Sequence, residues 1–155
     1  MKIKRKILPI LVGILFFGCS TKEIEPPKAV HFTMLSPSLK ISDAGFVRFK
    51  PNWTELQIYS SGVSLLEVSI KDRICYNGAC KDELEFNKEF FKRAQYRGFF
   101  SDILKKKPIF NAQSLVKTPC GFDQNLTNIT YQVCNNVMRY NDSKEKIKII
   151  IKELN

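Results

Sequence analysis

The six residues Cys75-Tyr-Asn-Gly-Ala-Cys80 constrain this chain more than any other stretch. Asn77-Gly78 is a strong signal for a two-residue β-hairpin turn, because both central positions need positive φ and these two residues adopt it at little cost. In such a turn Tyr76 faces Ala79 as the hydrogen-bonded closing pair. Cys75 and Cys80 then form the next, non-hydrogen-bonded pair, in which opposing Cα atoms approach most closely. The pattern predicts a cross-strand disulfide, provided that the chain matures in an oxidising compartment.

The first twenty residues bear on that condition. Lys2, Lys4, Arg5 and Lys6 make a basic start, and residues 7–17 are almost wholly apolar. About eleven residues rising 1.5 Å each cannot cross a hydrocarbon core of about 30 Å. The run suits the hydrophobic region of a signal peptide, which is removed on export. Gly18 and Cys19 follow, and a polar tail starts at once with Ser20-Thr21-Lys22-Glu23. The stretch ILPILVGILFFGCSTKE resembles the lipobox of bacterial lipoproteins. That resemblance implies that Cys19 becomes the first mature residue and the lipid attachment point, carrying a diacylglycerol and an acyl chain such as palmitate. An uncleaved anchor with an ordinary cysteine is the alternative. Ser20 stands where some lipoproteins carry an inner-membrane retention Asp, which favours the outer membrane. The expected organisation is a signal peptide at 1–18, a lipidated tether at 19–29 stiffened by Pro26-Pro27, and one domain at 30–155.

With Cys19 set aside, Cys75, Cys80, Cys120 and Cys134 remain of the five cysteines, an even number in an exported chain. The hairpin takes the first two, and by elimination Cys120 joins Cys134. Zinc is the rival, but the C-x4-C and C-x13-C spacings lack the usual short ligand pairs. A redox-active C-x-x-C is absent from the sequence. No metal or other cofactor is expected. The basic start holds four of the 25 Lys and Arg residues, so the remaining 21 face 15 acidic residues, an excess of +6. In this compartment acidic lipid head groups are more natural partners than nucleic acid, and a merely soluble basic surface explains the excess equally well.

Residues 30–72 read as half-buried antiparallel strands, with Leu56 and Ile58, then Leu66, Val68 and Ile70, alternating with polar residues. Pro51-Asn52 and Ser61-Gly62 punctuate them. Residues 82–107 change period. Phe86, Phe90 and Ala94 fall at i, i+4 and i+8, widened by Phe91, and after Gly98 the pairs Phe99/Ile103 and Phe100/Leu104 make a second amphipathic turn. Lys105, Lys106 and Lys107 close it before Pro108 and complement the helix dipole. Strands return with Ile129, Tyr131 and Val133 on one face, then NVMRY after Asn135-Asn136. Last come Ile147, Ile149 and Ile151, with Lys144, Lys146, Lys148 and Lys152 mostly opposite. This final strand is expected at the end of the sheet, its lysines discouraging edge-to-edge pairing, or else against anionic head groups. The fold class is α+β: an antiparallel sheet with a helical insertion packed on one face.

Inside the second disulfide loop lies Asn125-Leu126-Thr127, preceded by Asp123. Of the four N-x-S/T sequons it alone has an acid two places earlier, and so resembles the extended sequon of bacterial periplasmic oligosaccharyltransferases. The resemblance implies N-glycosylation of Asn125 on a surface loop, and an exposed turn Asn is the alternative. No catalytic constellation stands out. The single histidine, His31, lies close to the tether, and G-x-S-x-G, H-E-x-x-H and glycine-rich phosphate loops are absent from the sequence. Asp82, Glu83, Glu85 and Glu89 gather towards the start of the helix, where the dipole favours them. The expectation is a protein that is not an enzyme.

A lipidated cysteine and tether followed by antiparallel strands, a hairpin, a Phe-rich helical stretch and the closing strands ITYQVCNNVMRYNDSKEKIKIIIKEL make an order of elements that, over roughly residues 40–154, resembles the lipoprotein-localisation (Lol) carrier and receptor family. The resemblance implies an unclosed, curled, half-barrel-like sheet plugged by helices, which binds acyl chains or lipoproteins and helps place them in the outer membrane. Leu66, Val68, Phe90, Phe100, Ile129 and Tyr131 are the candidate acyl-chain cavity. Val63 and Leu65, beside the Ser61-Gly62 turn, are a candidate membrane-contact tip. The membrane, through Cys19, is the first expected partner. The competing readings are an accessory lipoprotein that binds another envelope protein, and an adhesin-like surface lipoprotein.

Overall fold

A computed structural model of the chain describes residues 25–155. The signal peptide expected at 1–18, lipid attachment at Cys19 and the first part of the tether lie outside the described residues. The strands are β1 (Lys28–Leu35), β2 (Lys40–Lys50), β3 (Trp53–Ser60), β4 (Val63–Ile70), β5 (Ile74–Tyr76), β6 (Ala79–Lys81), β7 (Leu115–Thr118), β8 (Gly121–Asn125), β9 (Ile129–Cys134), β10 (Val137–Asp142) and β11 (Ile147–Glu153). They form one open antiparallel sheet in the order β6-β5-β4-β3-β2-β1-β11-β10-β9-β8-β7. The chain walks outward from β1 by successive hairpins to β6. It crosses to the far edge through helices α1 (Glu83–Phe90) and α2 (Phe99–Leu104), then walks back to the centre. β1 starts at Lys28, two residues inside the stretch expected as tether.

Turn chemistry sets the hairpins. Ser61 and Gly62 have φ of 48° and 80°, and Asn77 and Gly78 have 45° and 85°. Positive φ at both central positions matches the right-handed twist of the flanking strands. Between β1 and β2 the Ser36 N–H donates to Leu39 O at 2.8 Å, and Ser36 Oγ accepts from Leu39 N at 3.0 Å. At Gly45 a β-carbon would lie 2.0 Å from the Gln57 carbonyl oxygen. Only glycine allows that approach, next to the register shift at Ile58/Tyr59.

Three expectations need correction. β11 does not end the sheet: it is the middle strand, paired with β1 on one side and β10 on the other. Its lysines stand on the exposed face of a central strand, and the edges are β6 and β7. The helical stripe stops short of Ala94. α1 ends at Phe90, Lys92 turns left-handed with φ of 57°, and Ala94 is exposed in irregular backbone after the bend at 91–93. The hairpin of β7 and β8 was not expected from sequence, since LVKT and GFDQN show no alternation and carry Gly, Asp and Asn.

Alternate residues of every long strand form the core, including Phe32, Leu56, Ile58, Leu66, Tyr131, Tyr140 and Ile149, all 0 % exposed. The helices pack on this face. Phe91 and Phe99 meet the Tyr140 ring edge-on at 6.3 and 5.9 Å. Phe86 lies 6.2 Å from Tyr76. Asp82 caps α1 by accepting from Leu84 N at 2.9 Å. Lys106 at the end of α2 donates to Glu153 of β11 at 2.7 Å, so this lysine fastens the insertion to the centre of the sheet.

Candidate functional site

The hairpin Cys75–Cys80 forms as its sequence requires. Tyr76 pairs with Ala79 and Cys75 with Cys80, and the sulfurs are 2.00 Å apart. Cys120 and Cys134 form the second disulfide, with S–S at 2.08 Å. It staples the turn before β8 to the end of β9, and the Asn135 N–H donates to Cys120 O at 2.8 Å beside it. One bridge thus closes the β6 edge, and the other lies one strand in from the β7 edge.

The six residues chosen for an acyl-chain cavity are not gathered into one space. Leu66 and Val68 of β4, Phe100 of α2 and Tyr131 of β9 are at most 1 % exposed and packed in the core. Phe90 and Phe100 touch, with ring centroids 5.3 Å apart. Of this pair Phe90 reaches a cleft of about 380 Å³, lined also by Met34, Leu39, Tyr76, Phe86 and Lys92. Ile129 borders a different depression, on the other arm of the sheet. Met34, Leu39 and Tyr76 were not singled out from sequence. The inward side of the Asn-Gly hairpin is the signal that points to Tyr76.

The 380 Å³ cleft has an apolar floor and a charged mouth. Phe86 and Phe90 stack at 4.9 Å, and Tyr76 meets Phe90 edge-on at 6.0 Å. At the rim Lys81 of β6 donates to the Glu89 carboxylate of α1. This hydrogen bond raises the Lys81 pKa above the ordinary lysine value; desolvation opposes it, and the Glu89 and Glu85 charges add lesser upward contributions. The lining comes from the β1–β2 turn, the β5–β6 hairpin and α1.

The remaining candidates lie on the surface. Val63 and Leu65, at the tip of the β3–β4 hairpin, are 63 % and 38 % exposed. Asn125 ends β8, exposed and opposite Thr130. His31 is half-buried on β1, with Nε2 3.2 Å from Ser42 Oγ.

Buried polar groups lie in the helical insertion, at Glu83, Asn87 and Gln95, and on the C-terminal arm, at Gln124 and Asp142 beside the phenols of Tyr131 and Tyr140. Burial, with Asp102 and Tyr96 adding less, pushes the Tyr131 phenol well above the ordinary tyrosine range. Burial does the same for Tyr140, with Asp142 next in effect. Neither hydroxyl has a hydrogen-bond partner among the described residues. Among those residues no group of three or more His, Cys, Asp or Glu side chains is placed to hold a metal ion. No helix among them is long and apolar enough to cross a membrane. Comparison with models of known protein families finds no match, and a search of curated proteins finds no significant relative.

Proposed function

We propose that the chain is a non-enzymatic lipoprotein of the bacterial cell envelope, anchored in the outer membrane through Cys19. It takes an acyl chain, free or borne by another lipoprotein, into the cleft beside α1 and helps place it in that membrane. The observation that carries this reading is the cleft itself. It is about 380 Å³ in volume and its floor is made by Met34, Leu39, Tyr76, Phe86 and Phe90. Ligand pockets are typically concave, mostly apolar and of about 300–1,000 Å³. Each methylene buried there contributes about 0.8 kcal/mol. Lys92 at the rim suits a phosphate or carboxylate head group, Lys81 being already paired with Glu89. Supporting a curled, half-barrel-like sheet is the origin of the lining: the β1–β2 turn and the β5–β6 hairpin lie at opposite ends of a run of six strands.

The test uses protein lacking residues 1–19, which retains every described strand. Native mass spectrometry for co-purifying lipid and titration with a fluorescent fatty acid should both give a signal. Phe90→Asp should abolish it. Absence of lipid together with no fatty-acid binding would overturn the reading. Intact-mass analysis of native material tests glycosylation of Asn125, where an unmodified mass removes the idea.

A second reading, docking on another envelope protein as an accessory or adhesin-like lipoprotein, draws on the exposed Val63 and Leu65. Val63→Ser/Leu65→Ser separates the two. It should leave fatty-acid binding intact while lowering attachment to whichever surface, bilayer or protein, the tip contacts.

A further inference from the structure

A second depression, of about 360 Å³, lies between residues 110–114 and the β8–β9 hairpin. Its wall has an uncommon backbone. Phe110, Asn111, Ala112 and Ser114 have φ of 49°, 52°, 60° and 55°. Left-handed residues other than glycine and asparagine are strained and normally occur singly, so Phe110, Ala112 and Ser114 carry the strain here. Strain of this kind persists only where the surroundings over-determine it, and it concentrates at binding and catalytic sites.

The determinant here is Gln124 of β8, which is 0 % exposed. Its Oε1 accepts from Ile109 N at 2.8 Å. Its Nε2 donates to Ile109 O at 2.9 Å and to Gln113 O at 2.8 Å. One buried amide therefore clamps both ends of the strained turn. Also lining the depression, Arg93 is positioned by Asp142, which is 0 % exposed and accepts from Arg93 Nη1 at 3.1 Å. Asp142 is satisfied further by the backbone N–H groups of Lys144 and Glu145, each at 3.1 Å. A guanidinium has five donors, and Asp142 engages only one of its nitrogens among the described residues.

We propose that this depression binds an acidic sugar, a hydroxylated ring bearing a carboxylate. Arg93 pairs with the carboxylate. Gln113, Asn125 and Thr127 supply donors and acceptors for ring hydroxyls, and Phe110 offers an aromatic surface to the ring's C–H face. No carboxylate side chain lines the depression to repel such a ligand. The clamped turn fixes Phe110 and Gln113 before the ligand arrives, so that binding does not have to order them. The site is separate from the α1 cleft and independent of the acyl-chain reading.

The experiment uses protein lacking residues 1–19, made in a host without N-glycosylation so that Asn125 is bare. Amide chemical shifts are followed on titration with glucuronate, glucose or acetate. Glucuronate should shift residues 110–114 and 125–128 with a Kd of about 1 mM, and glucose and acetate should each bind at least about ten-fold more weakly. Arg93→Gln should weaken glucuronate binding about ten-fold. Thr127→Trp, which fills the exposed rim without touching the Asp142 pair, should abolish it and decides the matter if Arg93→Gln does not fold. The proposal is overturned by an absence of shifts at about 10 mM glucuronate, by acetate binding as well as glucuronate, or by undiminished binding to Thr127→Trp.

Discussion

The two arms of the sheet bury different chemistry. On the N-terminal arm the inward residues are Leu56, Ile58, Leu66, Val68, Ile70 and Ile74, and Thr54 is the polar exception. On the C-terminal arm Gln124, Tyr131, Tyr140 and Asp142, all 0 % exposed, are buried among Ile129, Val133, Met138, Ile147, Ile149 and Ile151. Aliphatic packing is non-directional and scales with area. A buried amide, phenol or carboxylate is directional and costly without partners. The aliphatic arm thus supplies stability, whereas the polar arm fixes positions: Gln124 holds a strained turn and Asp142 holds Arg93. The contrast teaches that the arm with the more expensive interior is the one that sets the geometry of a surface depression.

Four sets of substitutions break or sharpen this contrast. The largest effect should come from Arg93→Ala, which leaves the buried Asp142 carboxylate with backbone donors alone. Chemical denaturation should register a loss of about 4 kcal/mol, partly recovered in Arg93→Ala/Asp142→Asn. Next is Leu56→Ala on the aliphatic arm, with a loss of about 3 kcal/mol and no such second-site recovery. Replacing the cysteines by serine should then rank the two bridges by loop length. The sequence separation is 14 for Cys120–Cys134 and 5 for Cys75–Cys80. Losses of about 3 and about 2 kcal/mol follow, readable as shifts in the denaturation midpoint. The smallest effect is a gain. Ala112 is exposed with φ of 60°, so Ala112→Gly should stabilise by about 1 kcal/mol, and under the sugar-binding proposal it should weaken glucuronate binding by loosening the wall.

Legibility in the sequence followed the same division. The aliphatic arm was readable because alternation and turn chemistry act locally: Leu56/Ile58, Leu66/Val68/Ile70 and Asn77-Gly78 each carry their own signal. The pairing of Cys75 with Cys80 followed from the turn alone. β11 was read as an edge because isoleucine alternating with lysine describes any strand with one wet face. Its place in the sheet depends on β1, far away in sequence. Ala94 misled because helical spacing continues on paper after Lys92 has left the helix. The strained turn is barely legible, since of its residues only Asn111 favours positive φ and Phe, Ala and Ser carry no such preference. It exists because Gln124, a residue of a short strand without alternation, reaches both of its ends. The α1 cleft was only half anticipated. Phe90 came from helical spacing, while Met34 and Leu39 enter through the packing of distant hairpins.

The antiparallel pairing of β1 with β11 joins Val30 to Glu153 in the middle of the sheet. During synthesis in the N-to-C direction, β1 emerges early and acquires β2 soon afterwards. Its other side stays open until almost the last described residue has been made. Such long-range closure is slow, and an unpaired central edge invites association with other chains. The nascent chain therefore needs protection until its synthesis is nearly complete, and loss of β11 alone would leave two half-sheets with no seam between them.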